Sequence, residues 1–200
     1  TSRAILHEDI HDAVVSRLTE RIKAFRPGDP VDPRTTMGAI ISREQRDRVM
    51  GFIADSDREG ATLLCGGKRP DDPALAGGFF VEPTIYTDVT ATMRLAREEV
   101  FGPVLAVMRW SDEAQMLALV NDVPVGLTCS IWTNDVRTAH RLAGEVEAGF
   151  VWINEVARHF LGTPFGGIKQ SGMGREECLE ELIGYTQEKH IHVNLKRPAR

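Results

Sequence analysis

Cysteine is scarce in this sequence, and long apolar runs are absent. Its three cysteines, Cys65, Cys129 and Cys178, are odd in number and far apart. This usage argues against a disulfide framework and predicts a reducing, cytoplasmic setting. No apolar run reaches the roughly 18 residues that a membrane-spanning helix needs, so no membrane segment is expected.

The sequence also lacks an excess of positive charge. Its formal net charge is −5, which disfavours non-specific binding to nucleic acid. Its first eight residues lack both the apolar core of a signal peptide and an initiator methionine, which suggests a fragment or a processed product. With 200 residues, 42% of them hydrophobic and 26% charged, the chain has the composition of a globular protein with a substantial core.

Hydrophobic periodicity predicts alternating strands and helices. A first amphipathic helix is indicated by apolar residues at every third or fourth position, namely Ile10, Val14, Leu18, Ile22 and Phe25. The predicted elements after it are a helix opened by the capping pattern Ser42-x-x-Gln45 and ended by Gly60, strands over 61–65, 104–109, 127–132 and 150–153, an extended segment over 79–86, helices over 111–119, 134–146 and 175–185, and a last strand over 190–195.

This alternation is typical of an α/β fold with a mostly parallel twisted sheet and flanking helices. Pro83 suggests that the 79–86 segment lies at a sheet edge, because proline cannot donate to a strand ladder. The Gly-rich stretch over 154–174 is predicted to be a long loop, and such loops in compact domains are usually functional.

Two histidine patterns would suit a metal ion. Residues His7 to His11 match H-E-x-x-H, which on a helix places two imidazoles on one face with a glutamate as base. A zinc peptidase is therefore one alternative function, although no third ligand follows closely and the apolar stripe predicts that both histidines face solvent. His190 and His192 share a strand face, where two exposed histidines are the competing interpretation.

The sequence contains neither a complete phosphate-binding motif nor a cysteine with the surroundings of a nucleophile. Gly167 and Gly172 have P-loop spacing, but Met173 stands where that motif needs lysine. Cys129 lies in an apolar strand, where a buried small hydrophobe is expected. Cys178 is surrounded by carboxylates that disfavour its thiolate, and Cys65 has no base near it in sequence. No catalytic residue is therefore assigned.

The segment Glu98-Glu99-Val100-Phe101-Gly102-Pro103-Val104 combines two carboxylates, an aromatic ring and a Gly-Pro turn. Carboxylates accept hydrogen bonds from hydroxyls, and a ring offers a flat apolar wall. The turn that follows fixes the backbone beside them. We interpret the segment as a ligand-contacting turn; a solvated surface charge is the competing interpretation for Glu99.

This segment resembles the signature of the NAD(P)-dependent aldehyde dehydrogenases, and three further motifs match that superfamily in order and spacing. The resemblance covers almost the whole chain. Those motifs are Asn121-Asp122-x-x-x-Gly126-Leu127, Gly149-Phe150-Val151-Trp152-Ile153-Asn154 and the run from Pro164 to Glu176, PFGGIKQSGMGRE.

The resemblance implies oxidation of an aldehyde to an acid through a cysteine thioester, with NAD or NADP as cofactor. It implies that Glu99 binds the nicotinamide ribose and that Phe101 walls the nicotinamide. It places Gln45 and Arg48 on a helix near that ribose, although Gln45 could serve only as a cap. Phe165 falls where the family lines its aldehyde pocket. His159 and Phe160 belong to a loop over 155–163 that shapes substrate choice and hints at a medium-sized, aromatic aldehyde.

The resemblance also implies what these residues omit. The nucleophilic cysteine is expected just upstream of Thr1, and the dinucleotide-binding domain further upstream. Residues 1–184 are expected to be a portion of the catalytic domain, inactive alone, and residues 185–200 an arm that joins subunits of a homo-oligomer, a dimer or tetramer. A non-catalytic assembly or binding module of the same fold is the other alternative.

Overall fold

The computed structural model describes residues 2–196. The chain divides between Pro124 and Val125 into two compact units, which are described in turn. No helix within residues 2–196 combines the length and the apolar character needed to cross a bilayer.

Unit 1 is built on a four-stranded sheet in the order β1-β4-β3-β2. Both pairs made by β4 are parallel, and only β2 runs antiparallel to its neighbour β3, so the predicted mostly parallel α/β sheet is confirmed. The strands are β1 (Arg3–His7), β2 (Thr62–Cys65), β3 (Thr84–Thr87) and β4 (Val104–Trp110); the helices are α1 (Glu8–Ile22), α2 (Arg43–Glu59), α3 (Arg94–Arg97) and α4 (Glu113–Asn121).

Local signals set the ends of the helices in unit 1. The Ser42 side chain accepts a hydrogen bond from the Gln45 backbone N–H at the start of α2, and Gly60 ends the helix in a left-handed conformation. Asp112 caps α4 in the same way. Helix α2 then buries Val49 and Phe52 completely in the core that covers the sheet. Burial of this apolar face fixes which side chains of α2 remain available at the surface.

Unit 1 departs from the sequence predictions in three respects. Strand β1, whose five residues pair with β4, was not predicted. His11 is buried, because Arg109 Nη2 lies 2.8 Å from its Nδ1 and Thr87 Oγ1 lies 3.3 Å from its Nε2, whereas the predicted core residue Ile10 is half exposed. Pro83 does not mark an edge: it precedes β3, an interior strand, and β1 and β2 form the edges.

Unit 2 contains two small sheets and two helices. Its elements are β5 (Val125–Gly126), β6 (Thr128–Ile131), α5 (Val136–Glu145), β7 (Phe150–Ile153), β8 (Ile168–Lys169) and α6 (Leu179–Gly184). Strands β6 and β7 are parallel, and β5 pairs antiparallel with β8. Gly149 is required by close packing, because a Cβ there would overlap the backbone oxygen of Gly166.

The end of unit 2 differs from the prediction. Helix α6 is shorter than the predicted 175–185 helix, since Glu176 instead forms an antiparallel bridge with Phe165. Residues 187–196 form no strand within the chain, although the alternation predicted one over 190–195. A strand requires a neighbour to hydrogen-bond, and this segment is exposed along its described length.

Candidate functional site

The turn between α3 and β4 holds a strained aromatic residue. Phe101 has a φ of 52°, a left-handed conformation that is uncommon for a bulky side chain. Its ring is nevertheless 70% exposed, so packing of the ring does not explain the backbone conformation. Strained residues that present side chains to solvent are concentrated at ligand sites, which makes this turn the leading candidate.

The turn is held from both sides. Gln45 Nε2 on α2 donates to the carbonyl oxygens of Val100, at 2.8 Å, and Phe101, at 3.1 Å. On the sheet side, the Thr84 backbone N–H donates to the Pro103 carbonyl at 2.8 Å. The predicted capping role of Ser42 is confirmed, but the Gln45 side chain bonds the turn.

Glu99 presents an exposed carboxylate beside Phe101. Within residues 2–196 no side chain or backbone group bonds that carboxylate. Arg48 reaches the backbone instead: its Nη2 donates to the Glu99 carbonyl at 3.3 Å and lies 3.6 Å from Glu98 Oε2. The structure therefore brings together all four residues that were predicted to bind the cofactor, with two of them, Gln45 and Arg48, holding the backbone of the other two.

An ion-pair network behind the turn was missed by the sequence analysis. Arg94 bonds both carboxylate oxygens of Glu98 and, at 2.8 Å, Asp55 on α2. Its guanidinium carbon lies 3.9 Å from the ring centroid of the buried Phe52. The Arg94 hydrogen bond is the main reason why the pKa of Asp55 is lowered. The spacing of Arg94 and Glu98, four residues apart, is the signal that could have indicated this pair.

This geometry suits a ligand with hydroxyls next to a flat ring. The Glu99 carboxylate can accept two hydrogen bonds from neighbouring hydroxyls, and the Phe101 ring can cover one face of a planar heterocycle. Both groups are exposed on one turn whose backbone is fixed before any ligand arrives, which lowers the entropic cost of binding.

A second group of predicted residues lies in unit 2. His159 forms an aromatic cluster with two phenylalanines: its ring centroid lies 4.5 Å from that of Phe165 and 6.0 Å from that of Phe150, and the two phenylalanine centroids are 5.4 Å apart. Trp152, largely buried, contacts both Phe150 and His159. Phe160 instead points outward, half exposed, with the Arg158 guanidinium over its ring. His159 and Phe165 are thus brought together, and Phe160 is separate from their cluster.

The thiols and histidines do not form a reactive centre. Burial raises the pKa of the Cys65 thiol, which disfavours its thiolate. Cys129 is half-buried in β6, and Cys178 precedes α6. His7 is the N-cap of α1 and so lies outside the helix, which removes the i,i+4 helical geometry of the H-E-x-x-H pattern. Within residues 2–196 no three His, Cys, Asp or Glu side chains form a metal-binding group.

Comparison with known proteins identifies the family. The family model described as "Aldehyde dehydrogenase family" matches residues 1–191. Aldehyde dehydrogenase tropH of Talaromyces stipitatus is 53% identical over 199 residues, which are 98% of this chain and 39% of that protein. The betaine aldehyde dehydrogenase of Mesorhizobium japonicum is 45% identical over 192 residues, 96% of this chain and 39% of that protein.

Solved structures agree with this result. A betaine aldehyde dehydrogenase from Staphylococcus aureus in complex with NAD+ superposes with a TM-score of 0.88 at 39% identity, covering 95% of this chain and 38% of that one. An aldehyde dehydrogenase from Burkholderia cenocepacia, described as putative, gives a TM-score of 0.89 at 43% identity, covering 93% of this chain and 38% of that one. The chain spans about two fifths of the length of the curated relatives it matches. On the family match and these identities together, the chain belongs to the aldehyde dehydrogenase family.

Proposed function

We propose that this chain is the C-terminal portion of an enzyme that oxidises an aldehyde to a carboxylic acid with NAD or NADP. The observation that carries the proposal is the turn at Phe101. An exposed aromatic ring in a left-handed backbone lies on one turn with an exposed carboxylate that no described residue bonds, and strained conformations of this kind cluster at ligand sites.

The residues of unit 1 fit the nicotinamide end of such a cofactor. Glu99 accepts hydrogen bonds from the ribose hydroxyls, and Phe101 covers the nicotinamide ring. Gln45 and Arg48 act through the backbone, since their side chains donate to the carbonyls of residues 99–101. A bound NAD(P)+ supplies the hydride acceptor for aldehyde oxidation.

We assign the aldehyde wall to Phe165 and the 155–163 loop of unit 2, and the nucleophilic thiol to a residue outside these 200. The half-buried cysteines support the second assignment, because a nucleophilic thiol needs access and a favoured thiolate, and burial disfavours the thiolate of Cys65. The acid product then forms by hydrolysis of a thioester carried on that external cysteine.

A chimera tests the proposal. This chain replaces the matching segment of the Talaromyces aldehyde dehydrogenase, which is 53% identical over 199 residues. The chimera is expected to reduce NAD+ or NADP+ with at least one member of a panel of aliphatic, aromatic and betaine-type aldehydes, whereas the isolated chain reduces neither. In the chimera, E99Q and F101A are expected to raise the KM for the cofactor about tenfold or more, the loss of one charge-assisted hydrogen bond or one ring contact.

The matched control is E20Q, which changes an exposed glutamate of α1 that pairs with Lys23. E20Q is expected to leave the KM for the cofactor and the kcat of the chimera unchanged. A chimera that folds but oxidises no aldehyde would favour the non-catalytic assembly module instead. Activity in the isolated chain would contradict the assignment of the nucleophile.

A further inference from the structure

Glu177 is a strained residue with three bonds around it. Its φ of 62° is left-handed, a conformation that is unfavourable for any residue other than glycine. Its backbone N–H donates to Glu181 Oε2 at 2.6 Å, and its carbonyl accepts from the Gly162 N–H at 2.7 Å. Such a conformation persists only where its surroundings hold it, so the contacts of Glu177 identify what the strain maintains.

The Glu177 side chain fixes His159. Its Oε1 accepts a hydrogen bond from His159 Nδ1 at 2.9 Å, and both side chains are only about one-third exposed. The same imidazole contacts Phe165, with ring centroids 4.5 Å apart, and Phe150, which is nearly parallel to it at 12° and 6.0 Å away. One ring nitrogen of His159 is bonded to Glu177 and its ring is packed on Phe165, so an effect of His159 on a substrate would pass through Phe165.

The loop over 155–163 is bonded to the rest of unit 2 at four points. Two of them are bonds to Glu177, through His159 and through Gly162. The third is the bond from Trp152 Nε1 to the Arg158 carbonyl at 2.7 Å, and the fourth is the bond from Ser130 Oγ on β6 to the Glu155 carbonyl at 2.5 Å. Within the loop, Ala157 also has a left-handed φ of 59°. The loop is thus held in a conformation that its own residues do not favour.

We propose that His159 and Glu177 form a positioning pair that holds the 155–163 loop and the Phe165 ring in one arrangement, and thereby fixes the shape of the wall that the aldehyde contacts. The part of this proposal that concerns substrate rests on the proposed function, in which Phe165 lines the aldehyde site. The mechanical part concerns unit 2 alone.

Hydrogen exchange of the 200-residue chain tests the mechanical part. The readouts are the Gly162 amide, which donates to the Glu177 carbonyl, and the Trp152 indole N–H, which donates to the Arg158 carbonyl. E177A removes the carboxylate, and H159F keeps an aromatic ring but removes the bond. Both substitutions are expected to speed exchange at these two sites about tenfold, the effect of losing one charge-assisted hydrogen bond.

The matched control is E176A, because Glu176 bonds Phe165 only through its backbone. It is expected to leave exchange at both sites unchanged. If E177A and H159F leave exchange unchanged as well, the pair does not hold the loop and the proposal is overturned, even if both variants are folded.

Kinetics of the chimera test the substrate part. E177A is expected to raise the KM for a bulky aromatic aldehyde about tenfold while the KM for the cofactor and the kcat stay the same. H159Q, which keeps a hydrogen-bonding group but loses the ring, is expected to give a smaller rise. An equal loss of kcat and of cofactor affinity would indicate general damage and contradict a positioning role. An inactive unsubstituted chimera would instead defeat the proposed function and the substrate part with it, and the exchange result would still decide the mechanical part.

Discussion

Phe101 stores backbone strain that can be measured directly. Because its φ is positive, glycine is favoured over alanine at this position by about 1 kcal/mol. We expect F101G to have a higher free energy of unfolding than F101A by this amount, measured by urea denaturation. The reverse ranking of the two variants is expected at Arg17, an exposed residue within α1. There R17G should have a lower free energy of unfolding than R17A, because glycine is unfavourable inside a helix. Equal stability of F101G and F101A would show that the turn is relaxed.

Tyr86 links stability to alkaline pH. Its ring is fully buried, and its hydroxyl donates to Asp57 Oδ1 at 2.7 Å. Burial, followed by the Asp57 carboxylate, raises the pKa of Tyr86 well above its ordinary value. A raised pKa means that the folded state keeps the neutral hydroxyl while the unfolded chain ionises, so stability is lost as pH rises above about 10.

The variant Y86F separates the contribution of the Tyr86 hydrogen bond from that of its raised pKa. At neutral pH it should lose about 1 kcal/mol, the net value of one hydrogen bond, because the exposed Asp57 regains water. Above pH 10 its free energy of unfolding should decline less steeply than that of the unsubstituted chain, as measured by urea denaturation at several pH values. Parallel curves for the two proteins would contradict the raised pKa.

At the scale of elements, α2 both packs the core and supports the turn. Q45A removes the two bonds to the carbonyls of Val100 and Phe101, and we expect a loss of about 1 to 2 kcal/mol. Q45E should cost more, because it places a carboxylate against two carbonyl oxygens. S42A, which removes only the N-cap, should cost about 1 kcal/mol and leave exchange of the Val104 amide unchanged, whereas Q45E should speed it.

Urea denaturation and amide exchange together distinguish the two residues. If Q45E is no less stable than Q45A, the amide of Gln45 does not support the turn. If S42A speeds Val104 exchange as much as Q45E does, the turn responds to the whole helix and not to one side chain.

Elements whose signals are local could be predicted from the sequence. Ser42 and Gly60 mark helix ends through bonds to residues a few positions away, and the structure confirms both; the helix predicted from residue 111 begins with Asp112 as its N-cap. The burial of His11 could not be predicted in this way, because its partners Thr87 and Arg109 are distant in sequence. Strand β1 was missed for the same reason: its partner is β4, about 100 residues later.

The candidate site divides in the same way. The family motif predicted that Glu99 and Phe101 belong to one turn, and both lie in the segment between α3 and β4. The motif could not predict that Gln45 and Arg48 bond backbone carbonyls, or that Glu177 holds His159, since each of these contacts depends on tertiary packing. Residue types indicated the chemistry, but the fold decided which side chains remained available for a ligand.

At the scale of the whole molecule, we propose that residues 185–200 are an arm that pairs with a second copy of the chain. Ile191, Val193 and Leu195 alternate along the segment and are each at least 65% exposed. Deleting residues 187–200 should leave the melting temperature of the monomer unchanged, since residues 187–196 form no strand with the described chain, but should lower the oligomeric state in light scattering. An unchanged oligomeric state would contradict the role of the arm. The triple variant I191S, V193S, L195S tests the same prediction at full length and should lower the oligomeric state as the deletion does.

The position of β1 has a consequence for how unit 1 folds. Its edge strand comes from residues 3–7 and pairs in parallel with residues 106–110, so the two segments are brought together only by closing a loop of about 100 residues. Pairings between segments so far apart in sequence slow folding. During synthesis β1 leaves the ribosome before β4 does, and it cannot make this pairing until about 100 further residues have been added.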